Sequence, residues 1–307
     1  MTRLSAARLA RIARDAGRTR LYQQDKVWSR YSNDKVDIAA TLGSVIRTLC
    51  HGLPLGTPLH ALSVGSSNEP QFRILASLFQ GGLHLIDIEE AALDVVAERT
   101  ERQHTPHVGL IRGDFTRLLA DDASTRRFRT RRLAGRRMTL VTFHHSLYYA
   151  PRAAWPGLLA RVYGELLAPS RSGRVSSAIH AVLMTSRSDD PRSTTWLYQH
   201  FAGRFFGVRN DQDLAAFART LRREPLGEDQ QVAAKSSLVD FWVDDFERFM
   251  SVVWMILLYP DVHRYTLEQR LEITEHVYEH LWRRRRPLLQ VQDHVAIYRG
   301  RVPRGLV

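Results

Sequence analysis

The pattern that most constrains this chain lies in its first half. Short apolar runs end at a glycine or an acid and give way to helical periodicity. Residues 59–64 run into Gly65, 83–86 into Asp87, 108–111 into Gly113-Asp114, and 138–143 into a pair of histidines. Between them, 69–79 and 89–102 carry apolar residues at helical spacing, with Ala92, Val95 and Val96 on one face. Runs this short and this apolar suit strands covered on both sides. Strands alternating with helices select a largely parallel sheet with helices on both faces. Further on, 174–185, 232–241 and 288–298 read as strands, and 153–168, 211–222, 244–257 and 267–282 as helices.

Composition narrows the classes. The 307 residues carry a formal net charge of +12, yet only Lys26, Lys35 and Lys235 are lysines among the 44 basic residues. The arginine excess runs through the whole chain, including helices expected to cover the sheet. It reads as codon bias more than as one electropositive face. Cys50 is the sole cysteine, which excludes an intrachain disulfide and a thiolate metal site and fits a cytoplasmic location. Residues 1–20 lack the apolar stretch of a signal peptide. Leu4, Leu9, Ile12 and Ala16 there are spaced for a packing or lid helix. The run at 252–259 is far shorter than a bilayer span, so no membrane insertion is expected. The expected organisation is a helical segment or lid over 1–54 and one core over 55–307. Substrate-shaping insertions are expected near 186–210 and 240–285.

In open α/β sheets ligands bind beyond the carboxyl ends of the strands, so the residues after each run are candidates. The first is Gly65-Ser66-Ser67-Asn68-Glu69-Pro70. Glycine lets the backbone turn close to a ligand, and proline suits a first helical turn. Ser67 or Asn68 can cap that helix. The Gly-x-Gly-x-x-Gly spacing is absent, which argues against a dinucleotide pyrophosphate. Glu69 would complement an ammonium instead. Asp87 can accept from both ribose hydroxyls of an adenosine-containing ligand, and Asp114 from an exocyclic adenine amine. Either acid can equally cap the helix that follows it.

The segments Ala61-Leu62-Ser63-Val64-Gly65, Leu85-Ile86-Asp87-Ile88 with Ala92-Leu93, Gly113-Asp114-Phe115, and 140–149 carry a resemblance. Together they resemble the class I S-adenosylmethionine-dependent methyltransferases, over roughly residues 55–185. The resemblance implies the class I methyltransferase fold: a seven-stranded, mostly parallel sheet, its last strand antiparallel, with helices on both faces and helical additions. It implies S-adenosyl-L-methionine as cofactor. Gly65, Ser66, Ser67 and Glu69 would run along its methionine part, and Asp87 and Ile88 along its ribose. Asp114 and Phe115 would lie at its adenine, with Phe143 beside it. The 66–70 stretch looks like the Glu-Pro variant of chemotaxis-receptor methyltransferases. More of the chain is similar to histamine N-methyltransferase-like small-molecule methyltransferases. The similar features are the helical start, Tyr148-Tyr149, Asp240-Phe241-Trp242, and Gln292-Asp293-His294 inside the last strand. That similarity implies Asp34 as an acidic substrate contact and Gln292 as an amide contact.

The acceptor side centres on Phe143-His144-His145-Ser146-Leu147-Tyr148-Tyr149. A sulfonium-activated methyl needs alignment more than proton transfer. A hydroxyl acceptor also needs a base, and a histidine can act near neutral pH. His144, His145 and Tyr148 are the catalytic candidates. Tyr149, Trp196, Tyr198 and Trp242 are candidate pocket walls, the last three because each borders a change of segment. Neighbouring histidines with no convergent third ligand make no metal site, and none is expected. The arginines of 126–137 and 283–286 could follow a phosphate backbone. The Asn/Asp-Pro-Pro-Tyr/Phe motif of base-amine methyltransferases is absent after the fourth run. The expected function is therefore N- or O-methylation of a small-molecule acceptor rather than of nucleic acid, by a monomer or homodimer. An RNA methyltransferase and a non-catalytic scaffold on the same fold are the alternatives.

Overall fold

Seven strands form one sheet: β1 (His60–Val64), β2 (Gly82–Asp87), β3 (Val108–Arg112), β4 (Leu140–His144), β5 (Ser177–Met184), β6 (Gln230–Phe241) and β7 (Leu288–Arg299). The computed structural model describes residues 4–16, 18, 21–65, 70–170, 173–257, 264–303 and 305. The strand order is β3-β2-β1-β4-β5-β7-β6, and the pairs among β1 to β5 are parallel. The last strand is antiparallel. Ser176 N–H donates to Arg299 O, while Thr185 N–H donates to Val291 O, so one strand's numbers rise as the other's fall. β3 and β6 are the edge strands, and the exposed Lys235 and Ser236 keep the β6 edge polar.

The helices are α1 (Ala6–Asp15), α2 (Leu21–Tyr31), α3 (Asp34–Gly52), α4 (Pro70–Leu78), α5 (Glu90–Arg102), α6 (Phe115–Leu118), α7 (Asp122–Arg132), α8 (Trp155–Arg161), α9 (Thr194–Phe206), α10 (Leu214–Arg223), α11 (Phe246–Leu257) and α12 (Leu267–Val277). The chain divides into two compact units. One holds residues 1–34, 184–211 and 238–291, and the other 35–183, 212–237 and 292–307. The first is helical. Leu9 and Ile12 of α1, Trp28 of α2, Phe249 and Trp254 of α11, and Ile273 and Val277 of α12 bury one another there. Among the described residues no helix is long and apolar enough to cross a membrane.

The second unit contains most of the sheet, and its faces follow from strand alternation. Leu62, Val64, Val141, Phe143, Ile179, Ala181, Val295 and Ile297 pack one face against α6, α7, α8 and α10. Ala61, Leu140, Ala178, Ala296 and Tyr298 pack the other against α3, α4 and α5. On this second face the chemistry changes along the strands. Toward the carboxyl ends of β1, β4 and β5 the same register positions become Ser63, Thr142, His144 and His180. On antiparallel β7 they become His294 and Gln292. These four strands therefore bring polar side chains to that end of the face.

Candidate functional site

The first element of the site is a close approach between two loops. Gly65 ends β1 with φ +71°, and a Cβ on it would lie 2.6 Å from the Ser146 Cβ. Its N–H donates to Ile86 O at 2.9 Å. Glycine is required here by both the left-handed backbone and the contact. β1 and β4 are adjacent, yet the chain leaves β1 toward β2 on one side and β4 toward β5 on the other. This is the point where strand order reverses, the place where open α/β sheets hold ligands. Ser66, Ser67 and Glu69, the other candidates of this turn, lie outside the described residues.

Two acids follow on neighbouring strands. Asp87 Oδ1 accepts from the Glu89 N–H at 2.9 Å, and Asp87 O accepts from the Gly113 N–H at 2.9 Å, tying the ends of β2 and β3 together. Asp114 Oδ1 caps α6 by accepting from Thr116 N–H at 2.9 Å and from Thr116 Oγ at 2.6 Å. Each carboxylate is thus oriented by its own turn at the carboxyl end of its strand. Ile88 is 67% exposed beside Asp87. Phe115 and Phe143 are buried core residues that meet edge to face, with centroids 5.9 Å apart.

The histidine pair after β4 is split by backbone geometry. His145 has φ +54°, and its N–H donates to Val182 O at 2.9 Å, so pairing with β5 continues one residue past the strand. The turn sends consecutive rings apart. His145 stacks on Tyr148, with centroids 6.0 Å apart. The His144 Nε2 lies 3.0 Å from the His180 Nδ1 instead.

His180 begins a polar row across the sheet. Its ring stacks on His294 of β7 at 5.7 Å, and His294 Nε2–H donates to Asp37 Oδ2 of α3 at 2.8 Å. Gln292 Nε2 donates to the same oxygen at 2.7 Å, and Ser237 Oγ also donates to it. Burial alone would raise the Asp37 pKa. The hydrogen bonds from Ser237 and Gln292, with the charge and hydrogen bond of His294, lower it instead. Burial pushes His180 well below the usual imidazole value, reinforced by His144, His294 and Lys235. Burial also lowers His294, against the pull of Asp37. The row is therefore a fixed carboxylate facing two histidines that resist protonation.

The remaining candidates sit elsewhere. Tyr149 is 46% exposed after Tyr148, whose carbonyl accepts from Gln212 Nε2 at 3.1 Å. Asp34, Trp196, Tyr198 and Trp242 belong to the helical unit. Asp34 is fully buried. Trp196 stacks on His200 at 4.4 Å, and Trp242 Nε1–H donates to Asp244 at 3.2 Å. The acid that meets Gln292 is Asp37, one helical turn beyond Asp34. Sequence reading missed Asp37, His180, Ser237 and the role of His294. The available signal was strand parity: His180 shares the register of Thr142 and the face of His144.

Several arginines of the 126–137 stretch have structural partners. Arg129 Nη1 donates to Glu165 O at 2.7 Å, and Arg137 Nη1 donates to Gly164 O at 2.6 Å and Leu167 O at 3.0 Å. These carbonyls belong to the π-turn and chain exit after α8, where regular helical bonding is lost. Among the described residues no group of three or more His, Cys, Asp or Glu side chains could hold a metal ion.

Strand order, the antiparallel last strand and the flanking helices decide the architecture. The fold is that of the class I methyltransferases. The chain is similar to solved structures at low identity. The YcgJ protein from Bacillus subtilis is 9% identical, with 85% of this chain and 99% of that chain covered and a TM-score of 0.50. A SAM-dependent methyltransferase from Thiobacillus denitrificans, solved with S-adenosyl-L-homocysteine, is 16% identical. It covers 86% of this chain and 90% of its own, with a TM-score of 0.46. At these identities the likeness concerns the class I methyltransferase fold alone. No family model and no curated protein matches the chain.

Proposed function

We propose that this chain is an S-adenosyl-L-methionine-dependent methyltransferase acting on nitrogen or oxygen of a small molecule. The observation that carries the proposal is the convergence at the reversal of strand order. The Gly65 turn abuts Ser146 there, with Asp87 and Asp114 on the next two strand ends and His144 to Tyr149 on the other side. A carboxylate at the β2 end suits a ribose diol, and one at the β3 end suits an adenine amine. Ser66, Ser67 and Glu69, which follow Gly65 in the sequence, are assigned to the cofactor in this reading. The bound cofactor would supply a methyl group activated by its sulfonium charge. The chain's own task is then to align the acceptor and, for a hydroxyl, to take its proton. His144 serves as that base, with the stacked His145 and Tyr148 as walls. Asp37, ionised and held by Gln292, His294 and Ser237, is a fitting contact for a polar or cationic acceptor group.

The engagement of Arg129 and Arg137 with backbone carbonyls favours the small-molecule reading over RNA. The test is transfer of labelled methyl from the cofactor into a cell extract, followed by fractionation and mass analysis. Label in the small-molecule fraction is expected. Label confined to RNA or protein would overturn the proposed substrate class.

A further inference from the structure

We propose that α7 is a docking surface for the phosphate backbone of double-stranded nucleic acid, set apart from the crevice at the strand ends. The inference does not rest on the methyltransferase reading, and it gives the nucleic acid no part as methyl acceptor.

Charge is concentrated on this helix and the loop after it. Residues 121–137 hold seven arginines and two aspartates, and so carry +5 of the chain's net +12. The arginines fall into two groups. Arg129 and Arg137 donate to the carbonyls of Gly164, Glu165 and Leu167, and Arg136 Nη1 donates to Gly81 O at 3.3 Å. Arg126, Arg127, Arg131 and Arg132 are exposed, and none of their guanidinium groups has a hydrogen-bond or ion-pair partner among the described residues. Asp121 is taken up by the helix cap, accepting from Ser124 N–H at 2.7 Å and Ser124 Oγ at 3.0 Å. The helix dipole accounts for Arg131 and Arg132, which lie in the last turn, and not for Arg126 and Arg127.

Packing holds this charge outward. Thr125 and Phe128 are the buried residues of α7. Arg127 and Arg131 stand one turn apart on the opposite side, about 6 Å along the axis, with Arg126 next to Arg127. Phosphates recur about every 3.4 Å of duplex axis on each strand, so the row can face about two or three of them. A helix that binds a bilayer needs an apolar face, and α7 turns its one large apolar side chain, Phe128, into the core. It also exposes no aromatic ring on which an unpaired base could stack. What remains is a guanidinium row suited to phosphates, the electrostatic footprint of backbone binding.

The row lies away from the proposed cofactor. Gly81 immediately precedes β2, and Leu167 bridges to Met138 just ahead of β4. The arginines bonded to these carbonyls therefore fix the loop after α7 at the amino ends of the strands, whereas the crevice lies at their carboxyl ends. A duplex held on α7 leaves the crevice open.

The test is binding of the full chain to a fluorescent DNA duplex of about 20 base pairs, read by anisotropy between about 50 and 200 mM salt. Wild type is expected to bind, with an affinity that falls as salt rises. The triple variant Arg126→Gln, Arg127→Gln, Arg131→Gln should bind about tenfold more weakly at low salt. Its slope of log affinity against log salt should be shallower by about 2–3. A second triple variant, Arg47→Gln, Arg223→Gln, Arg284→Gln, removes the same charge from scattered exposed positions and should change the affinity less than about threefold. Should the α7 triple variant fail to fold, Arg127→Gln alone carries the test, with a slope change of about 0.9. A wild type that binds no duplex, or equal losses in the two triple variants, would overturn the proposal. So would an α7 variant that keeps duplex binding and loses binding to phosphatidylserine–phosphatidylcholine vesicles, which would make the surface a membrane contact.

Discussion

A Cβ on Gly65 would stand 2.6 Å from the Cβ of Ser146, so the loops after β1 and β4 meet with no room for a side chain between them. Gly65→Ala is therefore expected to cost stability twice. The left-handed backbone contributes about 1–2 kcal/mol, and the clash adds to it. Ser146→Gly in the Gly65→Ala background should recover the clash and not the backbone cost. Urea unfolding of the two variants measures both. A Gly65→Ala chain as stable as wild type would show that the loops do not abut.

The row ending at Asp37 predicts an acid-dependent stability. Asp37 has a lowered pKa in the folded chain, so its contribution is fully present above the unfolded carboxylate value. That contribution is lost as pH falls through the lower folded value. Asp37→Asn should destabilise the chain at pH 7, and the difference from wild type should shrink below about pH 4. Chemical unfolding across that range would refute the assignment if the difference stayed constant.

In the helical unit, burial lowers the His276 pKa to about 4, helped by the neighbouring His280 and His200. Its folded pKa lies below the unfolded one, so the unfolded chain binds the extra proton between them. Stability should consequently fall as pH drops from about 6.5 to about 4. His276→Phe cannot titrate and should flatten that part of the profile. Thermal unfolding at a series of pH values is the measurement, and an identical slope in the variant would contradict the account.

The arginine stretch makes a separate prediction. Arg137→Ala removes two hydrogen bonds to the Gly164 and Leu167 carbonyls and should cost about 1–3 kcal/mol. The exposed Arg131→Ala should stay within about 0.5 kcal/mol of wild type. Equal effects of the two, read by urea unfolding, would mean that the stretch has no structural role.

Much of this architecture was legible in the sequence for a simple reason. Strands buried on both faces, such as 59–64 and 138–143, are short and mostly apolar, and the ends of the first strands carry the glycine and acids that mark a crevice. The alternation gives a largely parallel sheet, the resemblance of those strand ends implies the class I fold, and that is the fold observed. The polar row was harder to read. His180 interrupts an otherwise apolar strand, which has no periodic signature of its own, and its meaning appears only when β4, β5 and β7 are placed side by side. Asp37 shares a helix with Asp34, and only the packing of α3 on the sheet separates the acid that meets Gln292 from the one that is buried elsewhere.

The central claim is that the strand ends from Gly65 to Asp114 hold S-adenosyl-L-methionine. Thermal unfolding with S-adenosyl-L-homocysteine tests it most directly, comparing wild type with Asp87→Ala. A saturable stabilisation of wild type is predicted, about 2.7 kcal/mol at a hundredfold excess over Kd, and largely lost in Asp87→Ala. No shift of wild type at millimolar ligand would contradict the account.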